Sequence, residues 1–135
     1  MFRLILAVFL GSGTGGVLRY LVGLLFNRLS GASMQSLGSL GPLPVATLAV
    51  NLAGCFLIGL FYAFSVRYSS ECSETVRLML TTGFCGGLTT FSTFSQESLT
   101  LIQSGHIAGA LLYIGVSPIA GLAAVDLGTL LFASR

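Results

Sequence analysis

The sequence predicts an all-α membrane protein of four transmembrane helices, the third broken near its middle. Three observations lead there. Hydrophobic residues make up 54% of the 135 positions and charged residues 7%, with a mean hydropathy of +0.95, whereas a soluble domain carries roughly 25% charged residues. The apolar residues fall in four stretches of about 20 residues or more, the length that a hydrocarbon core of about 30 Å requires. Inside the third stretch lies Gly-Phe-Cys-Gly-Gly-Leu-Thr-Thr-Phe-Ser-Thr-Phe-Ser, residues 83 to 95, which places Gly83, Gly86 and Gly87 just ahead of two β-branched threonines. The predicted helices cover about 2–26, 43–68, 76–103 and 107–132, so that 1–135 reads as a single four-helix transmembrane domain.

Composition excludes several functions. There is no Lys, the net charge is +2, and no basic run exists to track a phosphate backbone, which argues against nucleic acid. Cys55, Cys72 and Cys85 are widely spaced, no C-x-x-C pattern occurs, and there is one His, so no zinc set forms. No nucleophile–base pair suggests an enzyme.

The first predicted helix begins like a signal peptide, but its apolar character resumes after Arg19 and no small-residue cleavage site precedes a polar region. Gly11, Gly13 and Gly16 match the G-x-G-x-x-G spacing; a dinucleotide site would need a strand before and a βαβ unit around it. Gly11 and Gly15, at the G-x-x-x-G spacing, read better as a surface for close helix packing. Arg19 is flanked by Val17-Leu18 and Tyr20-Leu21; an arginine at membrane depth costs about 2.5–3.5 kcal/mol on insertion scales and should face protein or water.

Residues 27–42 read as a Gly/Ser-rich loop, with Pro42 and Pro44 suited to the first turn of the second helix. That helix has one strongly polar interior residue, Asn51, with Thr47 one turn earlier on the same face. An amide there serves either to hold helices together or to donate to an anion. A polar connection, 69–75, leads to the third segment. Phe91 and Phe94 share a helix face, while Thr90 with Thr93 and Ser92 with Ser95 make hydroxyl rows; Glu97 approaches the far interface. The fourth helix carries Tyr113 and Ser117 at the i,i+4 spacing and Pro118, which removes a backbone bond; Ser117 either contributes to a path or satisfies the backbone freed at that kink.

Helix alternation puts both termini and the 69–75 connection on one side, with Arg3, Arg67, Arg77 and Arg135; Arg28 lies on the other. The positive-inside rule then makes the termini cytoplasmic. Four helices make a poor wall around a pore, so association is expected. A break in the third helix frees carbonyls suited to a hard monovalent cation. The hydroxyl and ring stripe after it suits an anion, since an aromatic ring has a positive edge. Donors without many formal charges hold an anion without trapping it.

Gly-Gly-Leu-Thr-Thr-Phe-Ser-Thr-Phe-Ser at 86–95 closely resembles the signature of the Fluc (CrcB) family of fluoride channels. Ala-Thr-Leu-Ala-Val-Asn at 46–51 is similar to that family's second-helix motif, although Ala46 stands where Gly is more usual, and Gly-Gly-Val-Leu-Arg-Tyr at 15–20 is similar to its first-helix pattern. The resemblance implies a dual-topology, antiparallel homodimer with two fluoride pores and a central structural sodium ion at the dimer interface. It implies that Phe91 and Phe94 line the pores by their ring edges, that Asn51 donates to fluoride, and that Ser92 and Thr93 belong to the polar stretch beside the rings. Tyr113 and Ser117 match fourth-helix pore positions, Gly86 and Thr89 would give backbone carbonyls to sodium, and Arg19 and Glu97 match charged supporting positions.

The function so implied is passive, electrodiffusive export of fluoride through the bacterial plasma membrane. Hydrogen fluoride enters in acid surroundings and ionises inside, and the negative potential drives the anion out. Two other readings compete. A coupled exporter of the small four-helix type would normally need a carboxylate in its first span, which has none; Glu97 and Asp126 are the only candidates elsewhere in the spans. A non-transporting membrane assembly subunit would use the glycines and hydroxyls only for packing. The four-to-one arginine bias favours one orientation, whereas the family resemblance requires both.

Overall fold

The computed structural model describes residues 1–30, 40–68 and 72–133. Most of the expected 27–42 loop (residues 31–39), residues 69–71 of the second connection with Glu71, and Arg135 lie outside the described residues. Among the described residues the structure is helical, without strands.

Helix α1 spans Phe2–Ser30. Its glycines lower intrinsic helicity by about 1 kcal/mol each relative to Ala, but a lipid environment offers no competing partner for backbone groups, and the helix runs through them. It continues past the expected end at 26 because Asn27, Arg28 and Leu29 include no breaker, and Arg28 sits in the last turn, where the helix dipole favours a cation. Helix α2 covers Val45–Arg67; Pro44 occupies the capping position just outside it rather than its first turn, and its carbonyl accepts from Leu48 N–H at 3.1 Å.

The third segment opens with α3, Glu74–Leu78, capped by Ser73, whose hydroxyl accepts from Val76 N–H. A seven-residue π-helical stretch, Met79–Cys85, follows, then the short α4, Gly86–Leu88. Thr89 and Thr90 are extended, with φ/ψ of −82°/155° and −148°/117°, and α5 restarts over Phe91–Gln103. A turn at Gly105, with φ of +83°, leads into α6, Ile107–Ala133, which contains Pro118.

Two close crossings hold these helices together. A Cβ on Gly11 or Gly15 of α1 would strike the carbonyl oxygens of Met79 and Phe84, so the expected G-x-x-x-G surface is where the π stretch lies against α1. Likewise a Cβ on Gly59 of α2 would strike the Val125 carbonyl of α6, and one on Gly128 of α6 the Phe56 carbonyl of α2. A small core of Leu101, Ala110 and Tyr113 joins α5 to α6, with Leu43, Leu48 and Phe94 packed against it.

Few side chains are buried. Phe2, Phe9, Ile119 and Leu122 are among many large apolar residues that are more than two-thirds exposed, an outer surface that needs lipid or protein cover. Among the described residues, Phe2–Leu29, Val45–Arg67 and Ile107–Phe132 are long and apolar enough to cross a membrane.

Candidate functional site

The site is built around Thr89 and Thr90. A buried chain that leaves helical geometry must pair its freed backbone groups elsewhere, and Asn51 does so from α2. Its Oδ1 accepts from Thr90 N–H at 2.8 Å, and its Nδ2 donates to the Thr90 carbonyl at 3.2 Å. A backbone N–H can only donate and a carbonyl only accept, so this reciprocal pair fixes the orientation of the amide. One Nδ2 hydrogen remains uncommitted.

Thr90 also caps α5. Its Oγ1 accepts from Thr93 N–H at 3.2 Å, donates to Thr93 Oγ1 at 3.0 Å and lies 3.2 Å from Ser92 Oγ. Because Thr93 Oγ1 accepts from Thr90, its own hydrogen is left to donate elsewhere. Thr89 bonds back into the preceding turn, with both its N–H and its hydroxyl on the Cys85 carbonyl, at 3.0 and 2.9 Å.

These bonds release two carbonyls. In a continuous helix the Gly86 carbonyl would accept from Thr90 N–H and the Thr89 carbonyl from Thr93 N–H. Both donors are taken, by Asn51 and by the Thr90 hydroxyl. The break thus leaves the carbonyls of Gly86, in α4, and of Thr89, just after it, ahead of the N-terminus of α5, whose free N–H groups carry partial positive charge. Neutral oxygen donors suit a hard cation such as sodium and Gly86 is exposed, so the chemistry of this donor set fits the ion that the resemblance implies.

Beyond the break, Phe91 and Phe94 lie with ring centroids 5.8 Å apart, and Phe94 packs on Tyr113 at 5.0 Å. Phe91 is 80% exposed on the single chain. Tyr113 is buried and donates its phenolic hydrogen to Glu97 Oε2 at 2.9 Å, while Thr47 donates to Glu97 Oε1 at 2.7 Å. Half-buried Glu97 is therefore held between α2 and α6, where two donors on facing helices replace water that a carboxylate otherwise needs.

A groove of about 1210 Å³ runs along α2, the third segment and α6, and its walls include Asn51, Gly86, Thr89, Phe91, Phe94 and Ser117.

The profile of a family described as "CrcB-like protein, Camphor Resistance (CrcB)" matches residues 6–129. The chain is 42% identical over 134 residues to a protein of Escherichia coli O17:K52:H18 (strain UMN026 / ExPEC) named "Fluoride-specific ion channel FluC"; the match covers 99% of this chain and 97% of that one. Proteins of the same name from Escherichia coli O139:H28 (strain E24377A / ETEC) and O9:H4 (strain HS) match to the same extent. The chain belongs to the CrcB family. It is a multi-pass membrane protein.

In this CrcB protein the groove wall includes six of the eleven residues expected to form or support the site: Asn51, Gly86, Thr89, Phe91, Phe94 and Ser117. Ser92 and Thr93 stand on the first turn of α5, Tyr113 and Glu97 lie behind Phe94, and Arg19 is half-buried on α1 outside the groove wall. The Ser117 hydroxyl donates to the Tyr113 carbonyl at 2.6 Å; the carbonyl that Pro118 leaves without its helical donor is that of Ile114, so Ser117 does not serve the kink.

Two residues of the site were not singled out as members of it, Thr47 and Thr90. Thr47 carried a signal, its place one turn from Asn51; Thr90 carried another, its N-cap residue type beside a predicted break.

Proposed function

We propose that this CrcB protein is a fluoride channel that lets fluoride leave a bacterial cell across its inner membrane, down the electrochemical gradient. The observation that carries the reading is the 42% identity, over nearly the whole chain, to relatives named as fluoride-specific ion channels. The break at Thr89–Thr90 supports it, since irregular backbone at membrane depth is tolerated where it lines a path. The third segment then completes the four membrane crossings, made of two half-helices. A channel needs no chemical step, and this chain is not an enzyme.

On this reading, fluoride meets the uncommitted Nδ2 hydrogen of Asn51, the Thr93 hydroxyl, Ser92 and the ring edges of Phe91 and Phe94. The hydrogens of Tyr113 and Ser117 are spent on Glu97 and on the Tyr113 carbonyl, so these two residues orient neighbours rather than donate in this arrangement. Each donor replaces one water contact, and their neutrality keeps the ion mobile.

The working unit is an antiparallel homodimer, with both orientations in the membrane and lipid around it. The exposure of Phe91 and the broad groove beside the break supply a face for the second copy. Gly86 and Thr89 of each copy would hold a sodium ion through their released carbonyls. Bound sodium would supply positive charge at the interface; the break itself is held by Asn51 and the Thr90 cap.

One observation favours a coupled transporter instead. Glu97 is a carboxylate inside the bundle, held by Thr47 and Tyr113. Fluoride efflux from liposomes containing the purified protein, with chloride in parallel, decides between them. The channel reading expects fast fluoride loss, slow chloride loss and a crippled Phe94→Ile variant. Loss of transport in Glu97→Gln, with Phe91→Ile unaffected, would favour the coupled transporter. No fluoride flux from well-folded protein would sink the channel reading.

A further inference from the structure

Thr93 keeps a hydrogen that the rest of its helix would have used. Ser95, Ser98 and Thr100 of α5 each donate to the carbonyl four residues back, at 2.9, 2.7 and 2.9 Å. Thr93 stands in the first turn, where the carbonyl four back belongs to Thr89, in extended chain. Its hydroxyl donates to no described residue and accepts one hydrogen, from Thr90 Oγ1 at 3.0 Å. Thr90 is well placed to give it. Asn51 bonds both ends of its backbone, Thr93 N–H occupies one lone pair of its Oγ1 at 3.2 Å, and it is buried, so water does not compete for its hydrogen. Ser92 Oγ lies 3.2 Å from the same atom in a pair where either oxygen can donate, so Thr93 is the neighbour whose direction Thr90 settles.

We propose that Thr90 is a positioning residue for the ion path: its buried hydroxyl spends its one hydrogen on Thr93 Oγ1 and so keeps the Thr93 hydrogen free for a passing anion. The inference rests on the channel reading and deepens it. A hydroxyl oxygen that already accepts from Thr90 has no reason to turn its own hydrogen back on Thr90. An oxygen that could only accept would do the reverse, capping α5 through Thr93 N–H while drawing the Thr93 hydroxyl hydrogen inward. Capping needs an acceptor at position 90; positioning also needs a hydrogen on that same atom.

Thr90→Ser and Thr90→Asn separate the two demands, because Ser and Asn both cap helices well and only Ser carries its hydrogen on the capping oxygen. The measurement is fluoride efflux from liposomes holding each purified variant beside wild type, repeated for Thr90→Asn on a Thr93→Val background, which keeps the Thr93 N–H but has no hydroxyl to orient. Thr90→Ser should stay within about twofold of wild type, Thr90→Asn should fall about tenfold, and on the Thr93→Val background the Asn change should cost less than about twofold further. Wild-type flux in Thr90→Asn, equal loss in Thr90→Ser, or the same loss on the Thr93→Val background would overturn the proposal and leave Thr90 a helix cap. Absence of fluoride flux from wild type would instead sink the channel reading, and this proposal with it.

Discussion

Asn51→Ala removes both ends of the contact that holds the break. The perturbation deletes an acceptor 2.8 Å from Thr90 N–H and a donor 3.2 Å from the Thr90 carbonyl, and Thr90 is only 8% exposed. Interhelical hydrogen bonds in membranes average about 0.6 kcal/mol and reach about 1.7. Two of them give roughly 1–3 kcal/mol. The upper half is expected here, because a buried backbone N–H left unpaired costs about 1–3 kcal/mol by itself. The assay is reversible unfolding in mixed micelles by SDS titration, followed by helical circular dichroism. Thr14→Ala is the control: that hydroxyl only bonds back to the Leu10 and Gly11 carbonyls of its own helix, and its loss should stay within about 0.5 kcal/mol. If Asn51→Ala were no more destabilising than Thr14→Ala, the amide would not be holding the break, and the Gly86 carbonyl would not owe its release to Asn51.

Further outcomes follow from the same contacts. Gly59→Ala should cost about 1–3 kcal/mol, because its Cβ meets the Val125 carbonyl and backbone cannot swing aside; Gly115→Ala, with nothing within 4 Å, should be neutral or stabilising by up to about 1 kcal/mol, read by the same titration. Thr47→Val and Tyr113→Phe each take one donor from Glu97, and a double-mutant cycle in the unfolding assay should give a coupling of about 0.5 kcal/mol or more; strict additivity would place Glu97 outside a shared network. A reporter fused to the C-terminus should read both cytoplasmic and external in separate copies, as an antiparallel dimer requires, and a purely cytoplasmic signal would side with the arginine bias instead.

The sequence carried the long apolar helices well, because lipid makes length and hydropathy nearly sufficient to specify them. It also placed helix-disfavouring residues at 86–90, where the structure turns extended at Thr89 and Thr90. The π stretch left no such signature. Met79-Leu80 reads as ordinary span and Gly83 belongs to the motif of the break, so nothing local marks a π geometry over Met79–Cys85; it goes with the approach of Gly11 and Gly15 to the Met79 and Phe84 carbonyls, a tertiary contact that no local propensity encodes. The partners of Glu97 were illegible for a related reason: the two hydroxyls that hold its carboxylate come from residues 50 positions earlier and 16 later, tertiary contacts that position along one helix does not encode.

Asn51 shows why helix glue and ion donor need not be alternatives. An amide has two N–H donors and an acceptor, and the Thr90 backbone uses one of each. The bonds that lock the side chain also aim its remaining hydrogen, and they take the Thr90 N–H away from Gly86. A hydrophobic residue at 51 would forfeit the donor and leave the Thr90 backbone unpaired, and a hydroxyl could not bond both ends of Thr90 and still donate. The residue type that packs the break is therefore also the one that leaves a carbonyl free for a cation and a hydrogen free for an anion.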